Sequence, residues 1–406
     1  MNIFVFNCGS SSLKYKMISM PSEKELFGGE VQRIASRTAK PSQIIHEADG
    51  GKEIFVESIK NHLEAFSEVM KIVEERGYAK PDIFAHRLVK GSKEIGKDAL
   101  LDEASFAFLE DLKELAPIHN PPIIEVIKAC KEKCPEVPQA IILDTSFHST
   151  IPDYAYTYAL PKKLCEELGI RKYGFHGISH QFVSEEAADY LNIPVEKFNA
   201  VSCHLGSGGA SLCAIKEGKS IDNSMGFSPL QGLVMSTRCG NLDPAVLLKM
   251  LAYEEGDFLK VNKILNKKSG VLGLSGISSD IRDIIRAKDN DAKSEITFEI
   301  YLWRIKKYLG SYLALLGRVD AIIFTDTIGE TVPLVRKLVC SDMDFFGIKL
   351  DEMKNRHAES YPCDVSPPES KIRIIVVKTN EELSIAKRAY QLLRHESLLA
   401  EKDYRS

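Results

Sequence analysis

The chain opens on an unbroken apolar run, residues 3–6, crosses a short polar turn, and resumes with Leu13, Tyr15, Met17 and Ile18. Short apolar runs bounded by turn residues read as strands. With the next run they predict an antiparallel meander over residues 2–7, 13–19 and 25–33. The pattern then becomes mixed α/β. It predicts a helix over 58–76, a buried strand over 83–89 and a helix over 103–115. Asn120-Pro121 opens a further helix, with Asn as N-cap and Pro at the first helical position. Residues 139–143 form a short buried strand ending at Asp144. From residue 200 the plan repeats. Ile300, Leu302, Ile305, Leu309, Tyr312 and Leu316 fall at helical spacing and predict a helix over 295–316. A strand over 319–324, a helix over 331–338, a last strand over 372–377 and a last helix over 380–399 complete the chain.

The turns between these strands carry the chemistry. In the first hairpin Asn7-Cys8-Gly9-Ser10-Ser11-Ser12-Leu13-Lys14 offers small residues, three hydroxyls, backbone N–H groups and one lysine, a set suited to phosphate. No Gly-Lys-Ser/Thr opens a helix here, so it is not a Walker loop. A plain polar hairpin is the alternative. His204-Leu205-Gly206-Ser207-Gly208-Gly209 repeats the grammar about one domain later. Two such hairpins suggest a duplicated α/β unit, the plan of actin-like sugar kinases and chaperone ATPases, which is a likeness of fold only.

At 406 residues the chain exceeds one average core, so two domains are expected. The boundary falls near residues 149–153, giving residues 1–150 plus 384–406 and residues 151–383. A net charge of −4 gives no broad basic field for nucleic acid. Nine scattered cysteines without a paired CxxC suit a reduced, cytoplasmic protein. No signal peptide and no membrane span are expected.

Several polar residues sit at strand ends or glycine turns, where α/β folds collect their sites. Arg87 lies in an apolar strand and must meet an anion or a carboxylate, so a structural ion pair is the alternative to substrate binding. Asp144 ends a buried strand, as a metal or catalytic carboxylate does, or as a cap does. His176 stands between glycines in a loop, His180 one turn later reads as structural, and Arg238 lies in a second glycine-containing loop. Glu381 can reach a metal or favour a helix N-terminus. Arginines, a histidine, a lysine and isolated acids suit phosphoryl transfer with Mg²⁺.

The chain is similar to the acetate kinase family nearly end to end, through residues 7–15, Ala116-Pro117-Ile118-His119-Asn120-Pro121, and residues 143–148, 173–180, 225–229, 232–244, 266–273 and 379–383. The resemblance implies a duplicated actin-like (ribonuclease H-like) two-domain fold with a central cleft and a homodimer. It implies reversible, Mg²⁺-dependent (or Mn²⁺-dependent) transfer between ATP and acetate, giving acetyl phosphate and ADP. Asn7, Asp144 and Glu381 would then organise the metal, with Asp144 also a candidate catalytic residue. Ser10, Ser12 and Lys14 would hold donor phosphate. Arg87 and Arg238 would bind the carboxylate and the moving phosphoryl group, and His176 would stabilise the transition state. Val89, Ile118, Phe175 and Pro229, beside His119, would form the acyl pocket. His204, Leu205, Gly206, Ser207 and Gly208, with Asp280, Ile281 and Arg282, and with Thr327, Ile328, Gly329, Glu330 and Thr331, would form the nucleotide side.

The nucleotide side departs from the family pattern. Where Phe-Thr-Ala-Gly-Ile-Gly-Glu-Asn is usual, this chain has Phe324-Thr325-Asp326-Thr327-Ile328-Gly329-Glu330-Thr331, and Ser207 replaces an Asn. Thr327 adds bulk where glycine is usual. Asp326 is expected beside the base or pointing to solvent. An atypical branch of the family uses pyrophosphate and phosphate in place of ATP and ADP, and Asp326 resembles that branch. Propionate is an alternative acyl substrate, since one methylene changes discrimination by only about 1–3 kcal/mol. A non-catalytic sensor on the same fold is the remote alternative.

Overall fold

A computed structural model describes residues 1–9, 11–35, 41–91, 96–110, 113 and 120–403, the side chains of 397–403 excepted. The expected Ser10, Ile118 and His119 lie outside the described residues. The chain divides into two units, Met1–Ser146 with Asn380–Ser406, and Phe147–Thr379. The first break comes earlier than residue 150 because His148 is tied into the second unit, by Ser220 Oγ on Nδ1 and the Phe175 carbonyl on Nε2. The second comes before residue 383 because Glu381 and Glu382 accept hydrogen bonds from Asn7 in the first unit.

The first unit is built on β1 (Asn2–Cys8), β2 (Ser12–Ser19), β3 (Lys24–Gln32), β4 (Ser42–Ala48), β5 (Gly51–Glu57), β6 (Ile83–Leu88), β7 (Ala99–Leu100) and β8 (Gln139–Leu143). Their order is β5-β4-β3-β2-β1-β6-β8-β7. The meander is antiparallel, whereas β1, β6 and β8 run parallel. A central strand covered on both faces needs an apolar run rather than alternation, and every residue of β1 after Asn2 is buried. The helices His62–Glu75 and Asn120–Lys133 pack on this sheet with one core of Phe4, Phe6, Phe66, Phe84, Ile123 and Ile127. β4 and β5 were not expected. They are charged outer strands whose Glu47, Lys52 and Glu53 blunt the sheet edge.

The second unit repeats the plan. Its strands are β9 (Ala200–Leu205), β10 (Ala210–Lys216), β11 (Lys219–Asn223), β12 (Ala321–Thr325), β13 (Cys363–Asp364) and β14 (Arg373–Val376), in the order β11-β10-β9-β12-β14-β13. Three antiparallel strands followed by two parallel neighbours, β11-β10-β9-β12-β14, match β3-β2-β1-β6-β8 of the first unit. The long helix spans Ala292–Leu316, slightly more than expected, because Asp291 caps it through the Ser294 N–H; it stops at Gly317, whose φ is 68°. The helix Gly177–Tyr190 lies where no element was assigned. Its buried face is Ser179, His180, Ser184, Ala187 and Ala188 beside Ile178, Phe182 and Val183, a mixture that hides the apolar period.

Candidate active site

In the first unit the site grows from the ends of three adjacent parallel strands. Arg87 comes from β6, Asp144 follows β8, and Asn7 lies near the end of β1. The Arg87 guanidinium is a fork on Asp144, with Nε to Oδ1 at 3.0 Å and one terminal nitrogen to Oδ2 at 2.7 Å. Its other terminal nitrogen donates to Asn7 Oδ1 at 3.0 Å and lies 3.4 Å from Glu381. The Asn7 amide then donates to Glu381 at 3.3 Å and Glu382 at 3.0 Å. Burial opposes the Arg87 charge, but Asp144 and Glu381 outweigh it and raise its pKa. Of the two readings left open for Arg87, the ion pair is therefore formed. Asp144 is buried and acts as the guanidinium's acceptor.

The first hairpin is tight. The Gly9 N–H donates to the Ser12 carbonyl at 2.9 Å, and His62 Nε2–H donates to the Gly9 carbonyl at 2.9 Å. Lys14 is exposed and sits opposite Asn7 in the β1–β2 register, which sends both side chains to one face.

In the second unit, His176, Arg238 and the second hairpin come together. His176 has φ 58° and stands just before the helix Gly177–Tyr190. A Cβ placed on Gly209 would lie 2.9 Å from an Arg238 terminal nitrogen, 3.4 Å from His176 Cε1 and 3.5 Å from His176 Nε2. The glycine leaves both side chains room to approach the turn. Arg238 donates to two backbone carbonyls, Pro229 at 2.7 Å and Gly208 at 3.3 Å. Burial lowers its pKa, and among the described residues no carboxylate offsets this. The His176 ring lies against His204, with centroids 4.2 Å apart.

Asp326 points back into its own unit rather than out to solvent. It follows Thr325, which is paired with His204 across β12 and β9, and its φ of 62° turns the side chain back onto the second hairpin. His204 Nε2 lies 3.0 Å from Oδ2, and the same oxygen sits where a Cβ on Gly206 would be. Oδ1 accepts from the Thr327 N–H at 2.6 Å and its hydroxyl at 3.0 Å. Burial opposes the Asp326 charge, yet His204 and Thr327 together hold its carboxyl well below the usual range. Thr331 returns its hydroxyl to the Thr327 carbonyl, and Glu330 accepts from the Asp326 and Thr379 N–H groups. Ile328 and Gly329 are buried, and Leu205 lies in the sheet. Ser207 and Gly208 are exposed at the turn.

The remaining expected residues are more ordinary. Asp280 caps the short helix Ile281–Ala287 and grips Arg282, while Ile281 is buried. The four-residue acyl pocket is not assembled from described residues of one unit. Val89 belongs to the first unit, Phe175 and Pro229 to the second. Phe175 is only 2% exposed, and its carbonyl receives His148 and Asn223. Ser202 and Ser211, with their histidine partners, are polar groups that sequence reasoning missed. Among the described residues no helix is long and apolar enough to cross a membrane.

Two sheets of matching order, each with a hairpin and charged groups at its strand ends, define an α/β phosphotransferase of the actin-like class. A family model described as the Acetokinase family matches residues 2–387. The acetate kinase of Acetivibrio thermocellus is 43% identical over 403 residues, covering 97% of this chain and 100% of that protein. The crystal structure of Porphyromonas gingivalis acetate kinase aligns with TM-score 0.88 and 36% identity over 97% of this chain and 99% of that one. A propionate kinase from Francisella tularensis aligns at 0.87 and 35%, over 95% and 98%. The chain belongs to the acetokinase family.

Proposed function

We infer that the protein is an acetate kinase that moves a phosphoryl group reversibly between ATP and acetate by direct in-line transfer. What supports this most is the meeting of His176 and Arg238 over Gly209, a cation and a donor aimed at a turn shaped for phosphate. A carboxylate oxygen of acetate attacks the γ-phosphorus. The new P–O bond forms as the bond to the bridging oxygen of ADP breaks. Acetate enters as an anion, so no proton has to be removed and Asp144 need not act as a base. Negative charge spreads over the equatorial oxygens, where Arg238 and His176 donate. Ser12 and Lys14, with Ser10, hold donor phosphate. Arg87 keeps two nitrogens on Asp144 and the third on Asn7 beside Glu381, and so orders these groups.

Among the described residues no three His, Cys, Asp or Glu side chains form a metal-holding group. Mg²⁺ keeps several waters and needs only one or two carboxylates, so Glu381 and Asn7 fit it as water-mediated partners. When bound, the ion neutralises the donor phosphates. Nine free cysteines agree with a cytoplasmic setting.

A second reading of the donor rests on Asp326. Its carboxylate lies against the second hairpin, where like charge repels a nucleotide phosphate. With the larger Asp326 and Thr327 narrowing the side expected to take adenosine, a donor without adenosine is favoured, pyrophosphate and phosphate in place of ATP and ADP. Purified protein with acetyl phosphate and Mg²⁺ is given ADP in one tube and phosphate in another. ATP in the first alone supports ATP as donor, and pyrophosphate in the second alone supports the alternative. No product in either leaves a sensor. The same assay with propionyl phosphate ranks the acyl groups.

The partner we propose is a second copy of the chain. The helix Pro244–Tyr253 has no buried residue, and Leu248, Tyr253, Phe258 and Leu259 are all more than 60% exposed (68, 84, 68 and 65%). Large apolar side chains left exposed within one short stretch of chain support an interface. Light scattering should give a dimer that L248E dissociates; a monomeric wild type would refute the proposal.

A further inference from the structure

A single hydroxyl in the second unit is shared by two imidazoles. Ser211 Oγ, on β10, lies 2.9 Å from His176 Nδ1 and 2.8 Å from His180 Nε2. His180 Nδ1 continues to Ser202 Oγ, on β9, at 2.9 Å. Ser202, Ser211 and His180 have no solvent exposure. The result is a chain of two rings and two hydroxyls, His176–Ser211–His180–Ser202.

A hydroxyl carries one proton, and a neutral imidazole carries one N–H. Burial, with His148 and His204 nearby, pushes the His180 pKa well down and keeps that ring neutral. Two proton arrangements then satisfy the chain. In one, His176 donates to Ser211, Ser211 to His180, and His180 to Ser202. The Ser202 proton then needs an acceptor, and among the described residues the Ser202 hydroxyl has no partner besides His180. A buried donor left unpaired is costly. In the other arrangement Ser202 donates to His180 Nδ1, His180 Nε2–H to Ser211, and Ser211 to His176 Nδ1. Every proton finds an acceptor. Neutral His176 must then carry its own proton on Nε2, on the ring edge that faces Gly209.

We propose that Ser211 is a positioning residue that holds neutral His176 in its Nε2–H form, so that His176 donates to a transferring phosphoryl oxygen without first becoming charged. The proposal rests on the role given to His176 above. It makes the buried His180 and Ser202 a relay that fixes proton direction from behind the site. Among the described residues, His204 on β9, Arg238 in its loop and Asp326 beyond His204 are charged or titratable groups around this ring, and His148 lies against His180.

Side-chain ¹⁵N spectra of the full-length, histidine-labelled protein read the tautomer directly, with His176 assigned by its loss in H176Q. At pH 8 the expected form is neutral with the proton on Nε2; an Nδ1–H form or an imidazolium overturns the proposal. Kinetics provide a second test. S211A should lose about tenfold in kcat, the worth of one neutral hydrogen bond, with KM for acetyl phosphate unchanged, and S211T should recover most of it. An H176Q enzyme with full activity would remove the role of His176 itself. A nearly inactive H176Q beside a folded S211A with wild-type kcat would leave that role standing and refute the positioning by Ser211. Should S211A fail to fold, the wild-type spectrum still decides.

Discussion

Arg87 and Arg238 are both partly buried, yet their guanidinium groups meet opposite company. Arg87, in the first unit, is clasped by Asp144 and bordered by Glu381, and its charge is neutralised within the protein. Arg238, in the second, rests on the carbonyls of Pro229 and Gly208 and carries its charge without a carboxylate among the described residues. A guanidinium held by two acids is set to order those acids. One propped on carbonyls is set to meet an incoming anion. The hairpins differ in the same direction as their surroundings. The first turn is braced by His62 and borders Lys14, whereas the second has Asp326 laid against it. The two units share a topology but not their electrostatics, since the arginine of the first is paired with acids and that of the second rests on carbonyls.

Removing each arginine should therefore do different things. R87A leaves Asp144 buried without its cation, which should cost about 3–5 kcal/mol of stability and lower the melting temperature strongly. A melting temperature equal to wild type would mean that the pair is not structural. R238A should melt close to wild type and lose about 100–1000-fold in kcat, the scale for one preorganised donor. An active R238A would erase the contrast. Acid should weaken both units alike. Burial lowers the His86 pKa in the first unit from 6.5 to about 4, and the His180 pKa in the second moves the same way. As pH falls below 6.5 the unfolded chain takes up protons that the folded one refuses. The stability contributed is full above about pH 6.5 and is lost as pH falls towards 4. For His86 alone the loss is about 2 kcal/mol at pH 5. Thermal melts between pH 7.5 and 5 check it, and a flat profile would show that these rings are not held neutral. The smallest effect belongs to the second hairpin. D326N removes one charge beside His204 and should lower KM for ADP about tenfold or less; a higher KM would mean that the carboxylate supports the nucleotide.

The repeated strand–turn–strand grammar made both hairpins readable from the chain, and with them the duplicated fold. Arg87 and Asp144 were readable as candidates, but not as partners, because strand ends 57 residues apart become neighbours only through β6 and β8. His176 and Arg238 were singled out by their glycine neighbours, and Gly209 is the place where both approach. The relay through Ser211 and Ser202 was invisible, since sheet pairing alone brings residues 202 and 211 under His176 and the helix that carries His180. Asp326 was noticed with two directions left open, because its orientation follows from a backbone angle that the residue type does not dictate. The strands β4 and β5 escaped because charged edge strands carry little apolar signal.

The contrast between the units is tested most directly by titrating Mg²⁺ against turnover of acetyl phosphate in E381Q and R238K. The account predicts that E381Q raises the Mg²⁺ concentration needed for half-maximal rate, while R238K lowers kcat with the Mg²⁺ requirement unchanged. A Mg²⁺ requirement that moves in R238K and stays fixed in E381Q would contradict it.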